Sequence, residues 1–299
     1  MSIRTSRSVS LLAGIALAGA GLGAVSGCGS QKATAGGTNV LTDRARQVAE
    51  AWDGSTAAAA WRAGYHPMGE TVQLPQGGLH SPADLQAYED QSFLLRGELP
   101  VTWPKNGQVT WATGKPLTQR VMGADESYKN LASTRVNRKP HLTVTGVKLG
   151  EMRVATSRGP ATVPAWLFTL HGYATPLKQA AVIPSTPPRS PISPARDIPG
   201  LPLDRLIQIA ADGRSVTVVA LHGVCDDGPA VDVLETSGSI VLSASVKDRK
   251  NKGNCTKQAK LQQVTVKLKH PVDDRVLLDA LTGQPVPYKG LNGISPSGS

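Results

Sequence analysis

Aromatic residues are scarce. Phe, Trp and Tyr make up 4% of the 299-residue chain, so a core has to be built mainly from Val, Leu, Ile and Ala. Three cysteines are too few for a disulfide-dense scaffold or a multi-cysteine zinc module. The six histidines, His66, His80, His141, His171, His222 and His270, are never three or four residues apart. They form no helical metal pair, and no metal or cofactor is expected. The chain also lacks a Gly-x-Ser-x-Gly elbow, a Ser-x-x-Lys run, a Cys-x-x-Cys pair and a Walker phosphate loop. Two acidic pairs, Asp226-Asp227-Gly228 and Asp273-Asp274, sit beside Gly or Pro and read as turn residues; neither follows the calcium-loop pattern. No catalytic residue is assigned.

The N-terminus is laid out differently from the rest. Arg4 and Arg7 precede an uncharged stretch at 9–27, which ends in Val25-Ser26-Gly27-Cys28. A basic segment, an apolar segment and a small-residue ending are the parts of an export signal. The Gly- and Ala-rich second half suits a membrane span poorly. The last four residues resemble the bacterial lipobox, an aliphatic residue and two small ones before an invariant Cys. That resemblance implies a thioether-linked diacylglycerol on Cys28, with acyl chains such as palmitate, and cleavage just before it. Residues 1–27 are then a lipoprotein signal peptide. Their removal deletes two arginines and no acids, taking the formal charge from +10 to +8. The small, polar residues 28–40 read as a flexible tether with a reach of about 20 Å. Such a protein is expected at the extracytoplasmic face of the cell membrane, held by its lipid.

Seven of the nineteen residues at 184–202 are proline. Each removes a donor and restricts its predecessor, so this stretch reads as a semi-rigid linker over 184–200. It separates an expected α+β domain at 41–183 from an expected β-rich, sandwich-like domain at 201–288. Residues 289–299 read as a disordered tail. The class predicted is α+β: N-terminal helices plus antiparallel sheet, then a β-sandwich-like C-terminal domain. Leu41, Ala45, Val48, Ala49 and Trp52 fall on one helical face, and Ser55 can cap a short Ala-rich continuation. Ser81-Pro82-Ala83-Asp84 starts another helix, with Leu85, Tyr88, Ser92 and Leu95 along one side. Strands are expected near 109–113, 116–122, 142–149, 151–156 and 162–173, with a helix at 124–133. Trp166 and Phe168 share a strand face and read as core, with an aromatic sugar- or peptide-binding face as the alternative. In the second block Asp212-Gly213 marks a hairpin between strands at 203–210 and 215–222. Further strands fit 230–235, 239–247 and 261–269, where Val264, Val266 and Leu268 alternate with Thr265, Lys267 and Lys269. Residues 273–283 read as a closing helical turn.

With Cys28 acylated, Cys225 and Cys255 remain. An exported domain permits a disulfide, and one bridge between them is the simplest reading. It closes a loop of about 30 residues, which chain-entropy arguments value at roughly 3.6 kcal/mol. The alternative takes notice of His222, three residues before Cys225. Cysteine transpeptidases of the cell wall carry a Ser-His-Gly-Cys run with His two residues before the thiol, a pattern this chain does not match.

Charge in the second block is segregated. Residues 247–260 hold six cations, Lys247, Arg249, Lys250, Lys252, Lys257 and Lys260, against one acid, whereas the remainder of 201–288 is net negative. No aromatic residue interleaves the cations to stack on bases, so nucleic acid is not an expected partner. Anionic wall polymer or lipid headgroups are.

The runs LTVTGVKLGEMRVATSRGPATVPAWLFTLHGY (142–173), VVALHGVC (218–225) and VTVKLKHPVDDRVLLDALTGQPV (264–286), together with Cys255, are distinctive. Over most of the mature length the chain resembles a group of secreted actinomycete lipoproteins to which no activity is assigned. That resemblance implies export, lipid anchoring and a C-terminal cysteine pair. Some of that group carry a further cysteine pair before the LTVTG strand; here RVNRKPHLTV holds none. The function expected is a non-catalytic binding or accessory module at the cell envelope. The alternative is an envelope hydrolase or transferase with a site the sequence does not reveal.

Overall fold

A computed structural model of the protein describes residues 35–132, 139–247 and 258–288. The first element, α1 (Ala35–Trp52), buries Leu41, Ala45, Val48, Ala49 and Trp52, the face its spacing predicts. It begins at Ala35, so positions 35–40 of the expected tether are helical. The next helix, α2 (Thr56–Ala63), is capped by Ser55, whose Oγ accepts from the Ala58 N–H at 3.1 Å.

The chain then enters a seven-stranded sheet. Its strands are β1 (Val72–Gln73), β2 (Phe93–Leu95), β3 (Asn106–Trp111), β4 (Leu117–Arg120), β5 (Leu142–Thr156), β6 (Gly159–Leu170) and β7 (Leu177–Ala180). Helices α3 (Pro82–Glu89) and α4 (Ala124–Leu131) are interspersed. The order is β1-β7-β6-β3-β4, and β5 pairs with both β6 and β2. Ser81 caps α3 through the Asp84 N–H, with Pro82 at the first helical position. The helix is shorter than the expected apolar side. Gln91, at φ 53°, ends it, Leu85 stays 47% exposed, and Phe93–Leu95 turns to strand beside Leu142–Val144.

Two expected strands, 142–149 and 151–156, are one continuous β5. Gly150 is a close approach and not a break: a Cβ there would lie 2.9 Å from Leu167 Cδ1. Trp166 and Phe168 are fully buried, and the Trp166 Nε1–H donates to the Met122 carbonyl at 3.0 Å. They are core, which removes the aromatic binding face.

The C-terminal strands are β8 (Arg205–Ile209), β9 (Ser215–Gly223), β10 (Pro229–Glu235), β11 (Ser239–Val246), β12 (Ala259–Lys267) and β13 (Val276–Asp279). They make two three-stranded sheets, β12-β9-β8 and β10-β11-β13. The Asp212-Gly213 turn joins β8 and β9, with Gly213 at φ 69°. Val266 and Leu268 point into the core, while Thr265, Lys267 and Lys269 face water. The expected helical turn at 273–283 is instead β13, which runs parallel to β11. Val276, Leu277, Leu278 and Asp279 are buried in succession. Four consecutive buried residues suit a strand covered on both faces, not a helix with one apolar stripe. The class is α+β with a strand-rich C-terminal part, as the sequence indicates.

The domain boundaries need correction. The apolar faces of α1 and α2 do not join the seven-stranded sheet that follows them in the chain. They pack into one core with Leu206, Val216, Val218, Ile240, Leu242, Ala244 and Val276, while Phe93, Val144, Trp166 and Phe168 belong to a separate core. Residues 64–183 are thus an excursion out of a discontinuous first layer. Polar anchors tie that layer shut. Arg44 Nε donates to the Ala280 carbonyl at 2.9 Å, and Trp52 Nε1 donates to the Gly283 carbonyl at 2.8 Å. Arg62 Nη2 donates to the Gly238 carbonyl at 2.9 Å. The proline-rich segment is free of helix and strand over 184–200, as expected, but it is a strap and not a spacer. Arg44 Nη2 donates to the Ser193 carbonyl at 2.6 Å, Ser190 Oγ donates to Gly283 O at 2.6 Å, and Ile192 packs on the core.

Trp52 therefore joins the two ends of the chain by both packing and hydrogen bonding. Trp52→Ala is expected to lower stability by about 3–5 kcal/mol in urea denaturation. A loss below about 1 kcal/mol would show that α1 is peripheral to the core.

Candidate functional site

The excursion has a narrow base. The chain leaves the first layer at 64–66 and returns at 183–187, and the two passages lie side by side. The Tyr65 N–H donates to Ser185 Oγ and the Ser185 N–H donates to the Tyr65 carbonyl, each at 2.9 Å. Gln119 Nε2 also donates to Ser185 Oγ, at 2.7 Å. The tip of the β5–β6 hairpin is bound to the outgoing passage: the Met68 N–H donates to Ala155 O at 2.8 Å, and the Ser157 N–H to His66 O at 2.9 Å. Tyr288, which packs on the core of α1, α2 and the C-terminal strands, hydrogen-bonds Glu70; burial first, then that carboxylate, pushes its hydroxyl well above the ordinary tyrosine range.

At this base Trp61 and His66 stack face to face, with ring centroids 3.8 Å apart and 4° between planes. Two clefts share Trp61 and Met68 as lining residues. One, of about 310 Å³, runs from Trp61 and Met68 past Ser157 and Ile209 to Arg275. The other, of about 390 Å³, runs from Trp61, His66 and Met68 to Pro187 and Tyr288. Volumes of this size suit small molecules, and the walls are largely apolar.

The polar groups around the clefts fall into two kinds. Some are committed. Arg275 Nη1 donates to Glu235 Oε2 at 3.0 Å and to Thr236 O at 3.3 Å; Nη2 donates to His270 O at 2.8 Å and Pro271 O at 2.6 Å. Burial alone would raise the Glu235 pKa. The Lys269 N–H, the Arg275 guanidinium and the His270 N–H together outweigh it and hold the carboxyl below its usual range. Others are unmatched. His66 Nε2, Tyr65 Oη and Ser157 Oγ are buried with no hydrogen-bond partner. Burial drives the His66 pKa down to about 4 and raises that of Tyr65. His66 is therefore a neutral imidazole at pH 7.

Of the residues singled out by sequence, Cys28, Arg249, Lys250, Lys252, Lys257 and Cys255 lie outside the described residues. Lys247 directly follows β11 and Lys260 is the second residue of β12, two strands of different sheets, and both lysines are exposed. Cys225 is not a free thiol. His222 is buried, and its Nδ1 lies 2.7 Å from the Gly223 carbonyl, so Nδ1 carries the proton and faces backbone. Asp226 plays the turn role expected of it, accepting from the Gly223 N–H at 2.6 Å. Among the described residues no group of three or more His, Cys, Asp or Glu side chains is placed to hold a metal ion. The clefts were not foreseen, because Trp61, Ser157, Ile209 and Arg275 are united by no spacing rule and meet only through the fold. Comparisons with protein-family models, with curated proteins and with solved structures find no match to this chain.

The buried imidazole has a pH signature. Its folded pKa, about 4, lies below the ordinary histidine value of 6.5, so the unfolded chain binds the proton first. Stability is then complete above about pH 6.5 and declines as pH falls toward 4. His66→Phe keeps a ring on Trp61 and removes the titration. Unfolding free energies from urea titrations near pH 7 and pH 4.5 are expected to differ less in the variant than in the parent, by on the order of 2 kcal/mol. Equal acid sensitivity in both proteins would place the titration elsewhere.

Proposed function

We propose that this protein is a membrane-anchored extracytoplasmic lipoprotein, held by a diacylglycerol on Cys28, that acts as a non-catalytic binding or accessory module at the cell envelope. The paired clefts at the base of the excursion would be its ligand site. The observation that carries the binding part is the pair of largely apolar clefts that share Trp61 and Met68, one of them also lined by His66 stacked on Trp61. The localisation rests on Val25-Ser26-Gly27-Cys28 and on the resemblance to secreted actinomycete lipoproteins. No described helix is long and apolar enough to cross a membrane.

A Cys225–Cys255 bridge belongs to the same reading. Gln258 O accepts from the Val224 N–H at 3.1 Å, beside Cys225. Cys255 is three residues from Gln258, within roughly 10 Å of extended chain. One measurement reads both cysteine proposals. Intact mass after alkylation without reduction should show an acylated N-terminal Cys28 and no alkyl group on Cys225 or Cys255. Cys28→Ala should move the protein out of the detergent phase. A free thiol on Cys28 would refute the anchor, and full labelling of the other two would refute the bridge.

The cations of 247–260 would add a weak, salt-sensitive attachment to anionic wall polymer or lipid headgroups. Lys247 and Lys260 are exposed, and screening acts over about 8 Å at physiological salt, so only a close polyanion gains from such a cluster. Each cation near an anionic surface is worth up to about 1 kcal/mol. The lipid-free mature protein should bind anionic vesicles at low salt and release them at high salt. Replacing all six cations by Ser should remove the binding, and an unaffected variant would leave them as a solubilising segment.

A further inference from the structure

The 310 Å³ cleft carries more information than its size. Its wall holds one cation, Arg275, and that guanidinium is occupied by a carboxylate and three backbone carbonyls. It has no unmet charge to offer an anion. The other charged residues lining the cleft are Asp212 and Asp273, both exposed. Neither has an ion-pair partner among the described residues. One Asp212 oxygen accepts from the Arg214 N–H at 2.9 Å, leaving the second open. Inside, Ser157 is buried and its Oγ has no partner. In a chain of net charge +10, the charged groups that line this cleft without an ion-pair partner are thus two exposed carboxylates.

We infer that this cleft takes an organic cation: a primary or quaternary amine on a compact apolar body. The inference rests on reading the cleft as a ligand site. The body would lie against Trp61, Met68 and Ile209, which excludes water and supplies most of the affinity. The ammonium would remain at the exposed part of the lining that carries Asp212 and Asp273, where it keeps part of its hydration and gains the attraction of opposite charge. A carboxylate of the same shape would meet both aspartates and no available cation. Ser157 Oγ supplies one hydrogen bond for a polar atom carried deeper on the ligand.

Three probes of matched size separate these contributions: phenethylamine, 2-phenylethanol and 3-phenylpropionate, titrated into the lipid-free mature protein by calorimetry. The amine is expected to bind roughly tenfold or more tightly than the carboxylate, with the alcohol between them and the gap narrowing at high salt. Asp212→Asn with Asp273→Asn should bring the three affinities together without abolishing binding. Ala211→Trp fills the cleft from an exposed wall position and should remove binding of all three; its circular dichroism spectrum and urea midpoint confirm that it is folded. Equal binding of the three probes by the parent, lost in Ala211→Trp, would overturn the preference for a cation and leave the cleft as a binding site. Absence of saturable binding for every probe up to about 10 mM would overturn the cation inference and the binding role of this cleft together.

Discussion

The structure depends on the burial of the α1–α2 face by sheets that lie some two hundred residues later in the chain. Val48, Trp52, Ala58 and Trp61 share a core with Val216, Ile240, Leu242 and Val276. Neither half can satisfy its apolar surface alone. A helix with one apolar stripe needs a lid, and two three-stranded sheets form too small a layer to close on themselves. Everything between must therefore leave and return through one place. That requirement places Tyr65 against Ser185 and creates the base at which the clefts form.

The same constraint explains the polar chemistry of the region. Trp52 and Ser190 both donate to the carbonyl of Gly283, so helix, strap and C-terminal turn converge on one acceptor. The strap meets the core edge through the Ser193 carbonyl, Ser190 Oγ and the Ala195 N–H, which donates to Leu281 O at 2.7 Å. Arg275 is held with Glu235 inside the fold, a pair whose separation would leave a buried charge unmatched. His66 and Tyr65, at the outgoing passage, and Ser157, at the hairpin tip bound to it, each bury a polar atom that has no hydrogen-bond partner.

Local features were legible in the sequence where a short-range rule governs them. Ser55 and Ser81 cap helices, Asp212-Gly213 turns a hairpin, and β12 alternates, because each is decided within a few residues. Gly150 misled because a glycine that breaks a strand and one that admits Leu167 look alike in sequence. Residues 276–279 misled because a short buried run fits either a helix or a strand until the neighbouring β11 is known. The prolines at 184–200 marked an irregular segment correctly but carried no sign that Ile192 and Ser190 would pack. The largest miss was the domain boundary. Helical spacing shows that Leu41, Val48 and Trp52 seek a partner and says nothing about which one.

The central claim is that α1, α2 and the C-terminal sheets are one cooperative layer with the excursion built upon it. Native-state amide hydrogen exchange tests it directly. Amides of residues 45–61 should open together with those of 240–244, at the same free energy and with the same denaturant dependence. If the amides of α1 exchange freely while β11 stays protected, the helices are an appendage and the account of the base and its clefts is wrong.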